Sequence, residues 1–150
     1  MQRDRDVWLR RIKAVGLEHA AARLAADRLV VAAEHDPSVL TRDIELKDVR
    51  RMAARLDGTY VVRMFAEFET ALRHYWAAGR RTGPPARTRD LIDGVAATCT
   101  VLADRLRNAH QVREYRNYLV HERDRLTVPL SILDARGHLC RFVSHLPPNW

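Results

Sequence analysis

Apolar residues recur at spacings of three and four along most of this chain, and no segment alternates convincingly with a period of two. A chain patterned this way buries its apolar surface by packing helix on helix. The expected fold class is therefore all-α, an antiparallel bundle of four to five helices. Its 150 residues suffice for one domain, 1–150, with one sizeable core.

The first strong helix is expected from about Leu17 to Glu34, with Leu17, Ala21, Leu24, Ala25, Leu29 and Ala32 as its apolar stripe. His35-Asp36-Pro37 ends it, because a residue before proline avoids the helical region. A shorter helix is expected from Lys47 to Leu56, closed by Asp57-Gly58, and Thr59 then reads as the N-cap of a helix running to about Ala78. Val61, Val62, Phe65, Phe68, Leu72, Tyr75 and Trp76 make that helix broadly apolar and aromatic, which suits the centre of the core. Gly79 to Pro85 is a loop. Further helices are expected over Arg89–Leu106, with an irregularity near Thr98-Cys99-Thr100, and over Asn108–Arg123. A last helix starts at Ser131, with Asp134 in the capping-box position, and stops before Pro147-Pro148.

No apolar run reaches the ~20 residues of a membrane-spanning helix, so no membrane contact is expected. The start of the chain, Met1 to Asp6, is charged and lacks the apolar core of a signal peptide. Cys99 and Cys140 are isolated thiols without metal-type spacing, which suits reduced cysteines and a cytoplasmic location. No cofactor or metal motif is visible, and none is expected; Glu67 and Glu69 flank Phe68 and point to different sides of their helix. The formal net charge of +7 favours an anionic partner such as RNA or an acidic protein. Nearly all of that charge is arginine, a skew that genome composition alone can also produce.

Reactive side chains concentrate in Arg116-Asn117-Tyr118-Leu119-Val120-His121, on the last strong helix before a turn. On a wheel of ~100° per residue, Val112, Tyr115, Leu119 and the edge of Tyr118 gather on the bundle side. His110, Arg113, Arg116, Asn117, Val120 and His121 gather on the other. Arg113, Asn117 and His121 follow one another at i+4 and form a polar row, with Arg116 ~140° from His121. In one helix Arg116 and His121 are not stacked; they converge best if a second copy of the helix packs across this face, or if the helix end at His121 loosens, and the first geometry argues for a dimer with a composite site. RNA scission needs a base for the 2′-hydroxyl proton, an acid for the leaving oxygen, and positive charge on the phosphorane. Histidine transfers protons near neutrality, arginine offers a planar fork that matches phosphate oxygens, and asparagine orients a neighbour.

This motif resembles that of the HEPN superfamily (higher eukaryotes and prokaryotes nucleotide-binding domains), R-x(4–6)-H with asparagine often after the arginine; here it stands as Arg116-Asn117-x-x-x-His121. An aromatic helix upstream (Phe65 through Trp76) and a closing helix through Leu146 fit the same pattern, over roughly Leu17 to Leu146. The tail looks like the closing helix of bacterial, ribotoxin-like members. The resemblance implies a homodimer whose two motif helices meet in a cleft. It also implies a metal-independent endoribonuclease, of the kind found as toxins with a cognate antitoxin or as effectors of other defence systems. Arg116 and His121 would then be catalytic and Asn117 would position them. Arg113 and His110, from the polar row, are added as RNA-binding residues. The alternatives are a non-catalytic HEPN dimerisation module that binds RNA, a nucleotide or a partner protein, and an α-helical DNA-binding regulator. The last has the basicity but lacks helix-turn-helix spacing.

Overall fold

The computed structural model describes residues 4–41, 43–80, 82–121 and 127–150. Its elements are α1 (Asp4–His35), a 3₁₀ turn (Pro37–Val39), α2 (Leu46–Gly79), α3 (Thr88–Cys99), α4 (Ala103–His121) and α5 (Ile132–Val143). Among the described residues it is an all-α bundle with no strand. α2 is the centre and touches each of the other four helices.

α1 starts thirteen residues before the expected Leu17 and turns a different face inward. Trp8, Ile12, Val15, His19, Ala26 and Ala33 are buried, whereas Leu17 and Leu24 of the expected stripe are 71 % and 52 % exposed. Trp8, Ile12, Val15 and His19 themselves recur at four, three and four, so α1 carries two apolar stripes. Burial follows the one with the larger rings. α1 and α2 run antiparallel. Arg11 pairs with Glu67, Glu18 with Arg63, Arg23 with Asp57 and Glu34 with Arg50, so contacts move down α2 as they move up α1. At the same interface His19 Nε2 lies 2.7 Å from the Asp57 carboxylate. Hydrogen bonds from Arg23 and then His19 hold the Asp57 carboxyl below its usual range.

The two helices expected on either side of Asp57-Gly58 are one continuous helix. Asp57 spends its carboxylate on α1 rather than on ending a helix, and Thr59 returns its hydroxyl to the Arg55 carbonyl in the preceding turn instead of capping. Gly58 serves packing: a Cβ there would sit 3.1 Å from Leu119 Cδ2 of α4. The N-terminus of α2 is closed by the reciprocal pair Glu45 and Asp48.

The irregularity near Thr98-Cys99-Thr100 is a full break. Thr100 adopts φ 52° and ψ 47°, its N–H donates to the Ala96 carbonyl, and α4 begins at Ala103 rather than Asn108. The expected end of the motif helix at Arg123 lies outside the described residues. α5 is capped as expected, with Ser131 Oγ accepting from the Asp134 N–H.

The core holds Phe65, Phe68, Met64 and Leu72 of α2, Leu91, Ile92 and Val95 of α3, Val112 of α4 and Leu139, Phe142 and Val143 of α5. The chain ends meet: Trp150 donates its backbone N–H to Asp4 and sets its ring edge-on against Tyr75 at 5.5 Å. Gly94 of α3 faces Trp76, whose indole is also stacked under Arg80 at 3.7 Å. A Cβ at Gly94 would lie 2.7 Å from Trp76 Cζ3. Gly94→Ala gains about 1 kcal/mol of helix propensity but forces overpacking that costs about 1–3 kcal/mol. Because the 2.7 Å contact falls on a buried ring that must shift to relieve it, we expect a net fall in melting temperature, while Gly79→Ala, which meets no neighbour, leaves it unchanged or higher.

Candidate functional site on helix α4

α4 crosses α2 with Leu119 over Gly58 and with the Arg116 guanidinium 5.7 Å above the Phe65 ring, so the two helices run antiparallel here. Ala109 and Val112 are fully buried and Tyr115 and Leu119 pack against the core. Arg116 stands one helical turn beyond Val112 and joins this stripe: it is half-buried, not on the outer face where the wheel reading placed it. Its aliphatic stem covers apolar surface while the charged head reaches the edge. Burial also raises the Tyr115 hydroxyl above its usual range, with smaller contributions from Asp57 and Tyr118.

Each predicted site residue has a definite place. Arg116 Nη1 donates to Asn117 Oδ1 at 3.0 Å, and no carboxylate pairs with Arg116 among the described residues. Its Nε is buried without an acceptor among the described residues, as is Nε of Arg113. Arg113 is largely covered and meets Glu114 at 3.3 Å. His110 Nε2 lies 2.7 Å from the Asp93 carboxylate, which ties α4 to α3. His121 ends α4 and is exposed, next to the 46 %-exposed Val120. Arg116 and Asn117 are thus brought together, whereas His121 shares no hydrogen bond with either. Sequence reading missed Phe65 beneath Arg116 and Asp93 beside His110. The i+4 step from Val112 to Arg116 was the available signal for the first; nothing local signals the second, which is a contact between separate helices.

Glu67 faces Arg11, and Glu69 accepts from Arg73 and from Thr88 at the start of α3. Among the described residues no group of three His, Cys, Asp or Glu is placed to hold a metal ion, and no helix is long and apolar enough to cross a membrane. Comparison with protein-family models, with curated proteins and with solved structures found no match.

Beside α4, burial pushes the His138 imidazole of α5 below its usual 6.5; Asp134 opposes this, and Arg141 and Arg105 add to it. The folded protein therefore resists protonation more than the unfolded chain. The stability from keeping this ring neutral is fully present above 6.5 and is lost as pH falls through the lower folded value. We expect His138→Gln to remove that part of the stability loss between pH 7 and pH 5, measured as urea midpoints across the range.

Proposed function

We propose that the protein is a metal-independent endoribonuclease of the HEPN type, acting as a homodimer in which two α4 helices face each other. The observation that carries this reading is Arg116: its only side-chain hydrogen-bond partner is the neutral carbonyl of Asn117, so its charge is uncompensated among the described residues, on the helix that ends at exposed His121. A cation held in place by packing and left without a carboxylate is suited to a phosphate. In one chain His121 lies ~140° around the helix from Arg116, and a second α4 would bring it opposite that arginine. Exposed Val120, beside the row, would supply apolar contact between the copies.

In this mechanism His121 takes the proton of the ribose 2′-hydroxyl as the 2′-oxygen attacks the adjacent phosphorus. Arg116, held by Asn117, stabilises the pentacoordinate phosphorane. The bond to the 5′-oxygen then breaks and that oxygen takes up a proton, giving a 2′,3′-cyclic phosphate and a 5′-hydroxyl. Arg113 would guide the strand, and His110 would do so from its pairing with Asp93. A toxin or defence role, with a cognate antitoxin, and a cytoplasmic location belong to the same proposal.

The second reading is a HEPN-like module that dimerises and binds without cutting. The half-burial of Arg116 over Phe65 favours it, since that arginine then serves packing. The deciding experiment incubates purified protein with total RNA in EDTA, maps the product ends, and measures mass by light scattering. Cyclic-phosphate ends from a dimer support the nuclease. A monomer at micromolar concentration removes the composite site, and a folded dimer that leaves RNA intact supports the module.

A further inference from the structure

α1 and α5 leave between them an open groove of about 500 Å³, lined by Lys13 and Leu17 on one side and by Arg136, Gly137, Cys140 and Arg141 on the other. Three of these six residues are cations, and none of the three forms an ion pair among the described residues. By contrast, Arg11, Arg23, Arg50, Arg63 and Arg73 each face a carboxylate.

Two glycines shape the groove. A Cβ at Gly16 would lie 3.3 Å from Arg136 Cδ and 3.5 Å from its Nη1, so the bare backbone of α1 is the bed on which the Arg136 side chain lies. At Gly137 the nearest atom to such a Cβ is Arg141 Nη1, at 3.7 Å. Leu17, 71 % exposed, gives the rim an apolar surface. At Cys140 burial pushes the thiol up, while Lys13 and Arg136 pull it down, so both cations are felt inside the groove.

We propose that the α1–α5 groove is a phosphate-binding site, distinct from the α4 motif, that takes organic phosphates bearing at least two negative charges. Two arginine forks match phosphate oxygens and a lysine adds a point charge, while Leu17 and the arginine stems offer apolar contact to the carbon skeleton. A volume of about 500 Å³ holds a ligand larger than a single inorganic ion. The phosphates belong either to a free organic diphosphate or to successive links of an RNA strand. Choosing the strand rests on the ribonuclease reading; the groove's fit to phosphate does not.

The test is binding, measured by calorimetry with ADP and by fluorescence anisotropy with a labelled single-stranded RNA carrying 2′-O-methyl groups throughout. The methyl groups prevent cleavage, so the outcome is independent of whether α4 is catalytic. The variants are Arg136→Gln/Arg141→Gln, Lys13→Gln in case the double variant folds poorly, and Arg55→Gln/Arg87→Gln, which removes the same charge elsewhere. We expect the groove variants to weaken binding about tenfold, and the double variant to flatten the salt dependence of strand binding by about 1.4 in slope. The charge control should bind as the wild type does. Loss confined to the RNA assigns the strand as occupant, and loss confined to ADP assigns a free phosphate. Equal loss in groove and control variants overturns the proposal, as does an absence of binding by the wild type. His121→Ala, tested separately for cleavage, decides the α4 reading without touching this one.

Discussion

His121→Ala is expected to abolish RNA cleavage while leaving the fold in place. A positioned general base contributes about 10²–10⁴ in rate, and alanine cannot carry a proton. The side chain is exposed at the end of α4, so its removal should change stability by no more than about 0.5 kcal/mol, the usual range for surface positions. Activity and stability thus separate cleanly at this position. Wild-type cleavage rates in the variant would refute the assignment of His121. Arg116→Ala should lose about 10²–10³ in rate, but it also uncovers Phe65, so its melting temperature must be read beside its rate. Arg116→Lys refines the point. Lysine keeps the charge and much of the stem over Phe65 but lacks the fork, so recovery of stability without recovery of rate would show that the planar donors act on the phosphate.

The residues that made the fold class legible were those with one dominant periodicity. Phe65, Phe68, Leu72 and Trp76 are all buried where the aromatic stripe of α2 put them, and Ser131 caps α5 as its spacing with Asp134 implied. The errors arose where local signals competed with contacts from distant helices. Asp57-Gly58 has the chemistry of a helix end, yet Arg23 and His19 of α1 occupy the carboxylate, and the close approach of Leu119 fills the space a side chain would take. α1 offered two stripes, and only α2 and α5 decide between them. The sequence marks an irregularity near Thr100, but the left-handed backbone that terminates α3 there is a conformation that threonine seldom adopts and that no sequence rule assigns to it.

The α4 motif shows the same limit. Its sequence makes Arg116, Asn117 and His121 conspicuous, and the bundle places the first two in contact while leaving the third in solvent. What the wheel overlooked was the one-turn step from Val112, which carries Arg116 onto the covered stripe. On the proposed reading, an arginine seated on a core phenylalanine is preorganised for charge stabilisation. It also couples the site to the packing of α2, so core variants near Phe65 should disturb α4 before they unfold the protein.

Phe68→Ala is expected to be the most destabilising single substitution of those considered. The side chain is fully buried, with ring centroids 5.6 Å from Phe65 and 5.3 Å edge-on from Phe142, and it joins the central helix to α5. Truncating a buried phenylalanine costs about 3–5 kcal/mol through lost transfer energy and the cavity left behind. In a chain of this size that corresponds to a fall of roughly 6–20 °C in melting temperature. Phe142→Ala should cost a comparable amount, and the double variant less than the two together, because both remove walls of one cavity. Leu133→Ala on the exposed face of the same α5 should be nearly silent. The contrast between positions 142 and 133 tests which side of α5 faces α2. If Leu133→Ala proved the costlier change, α5 would be rotated about its axis, and the groove it forms with α1 would have a different lining.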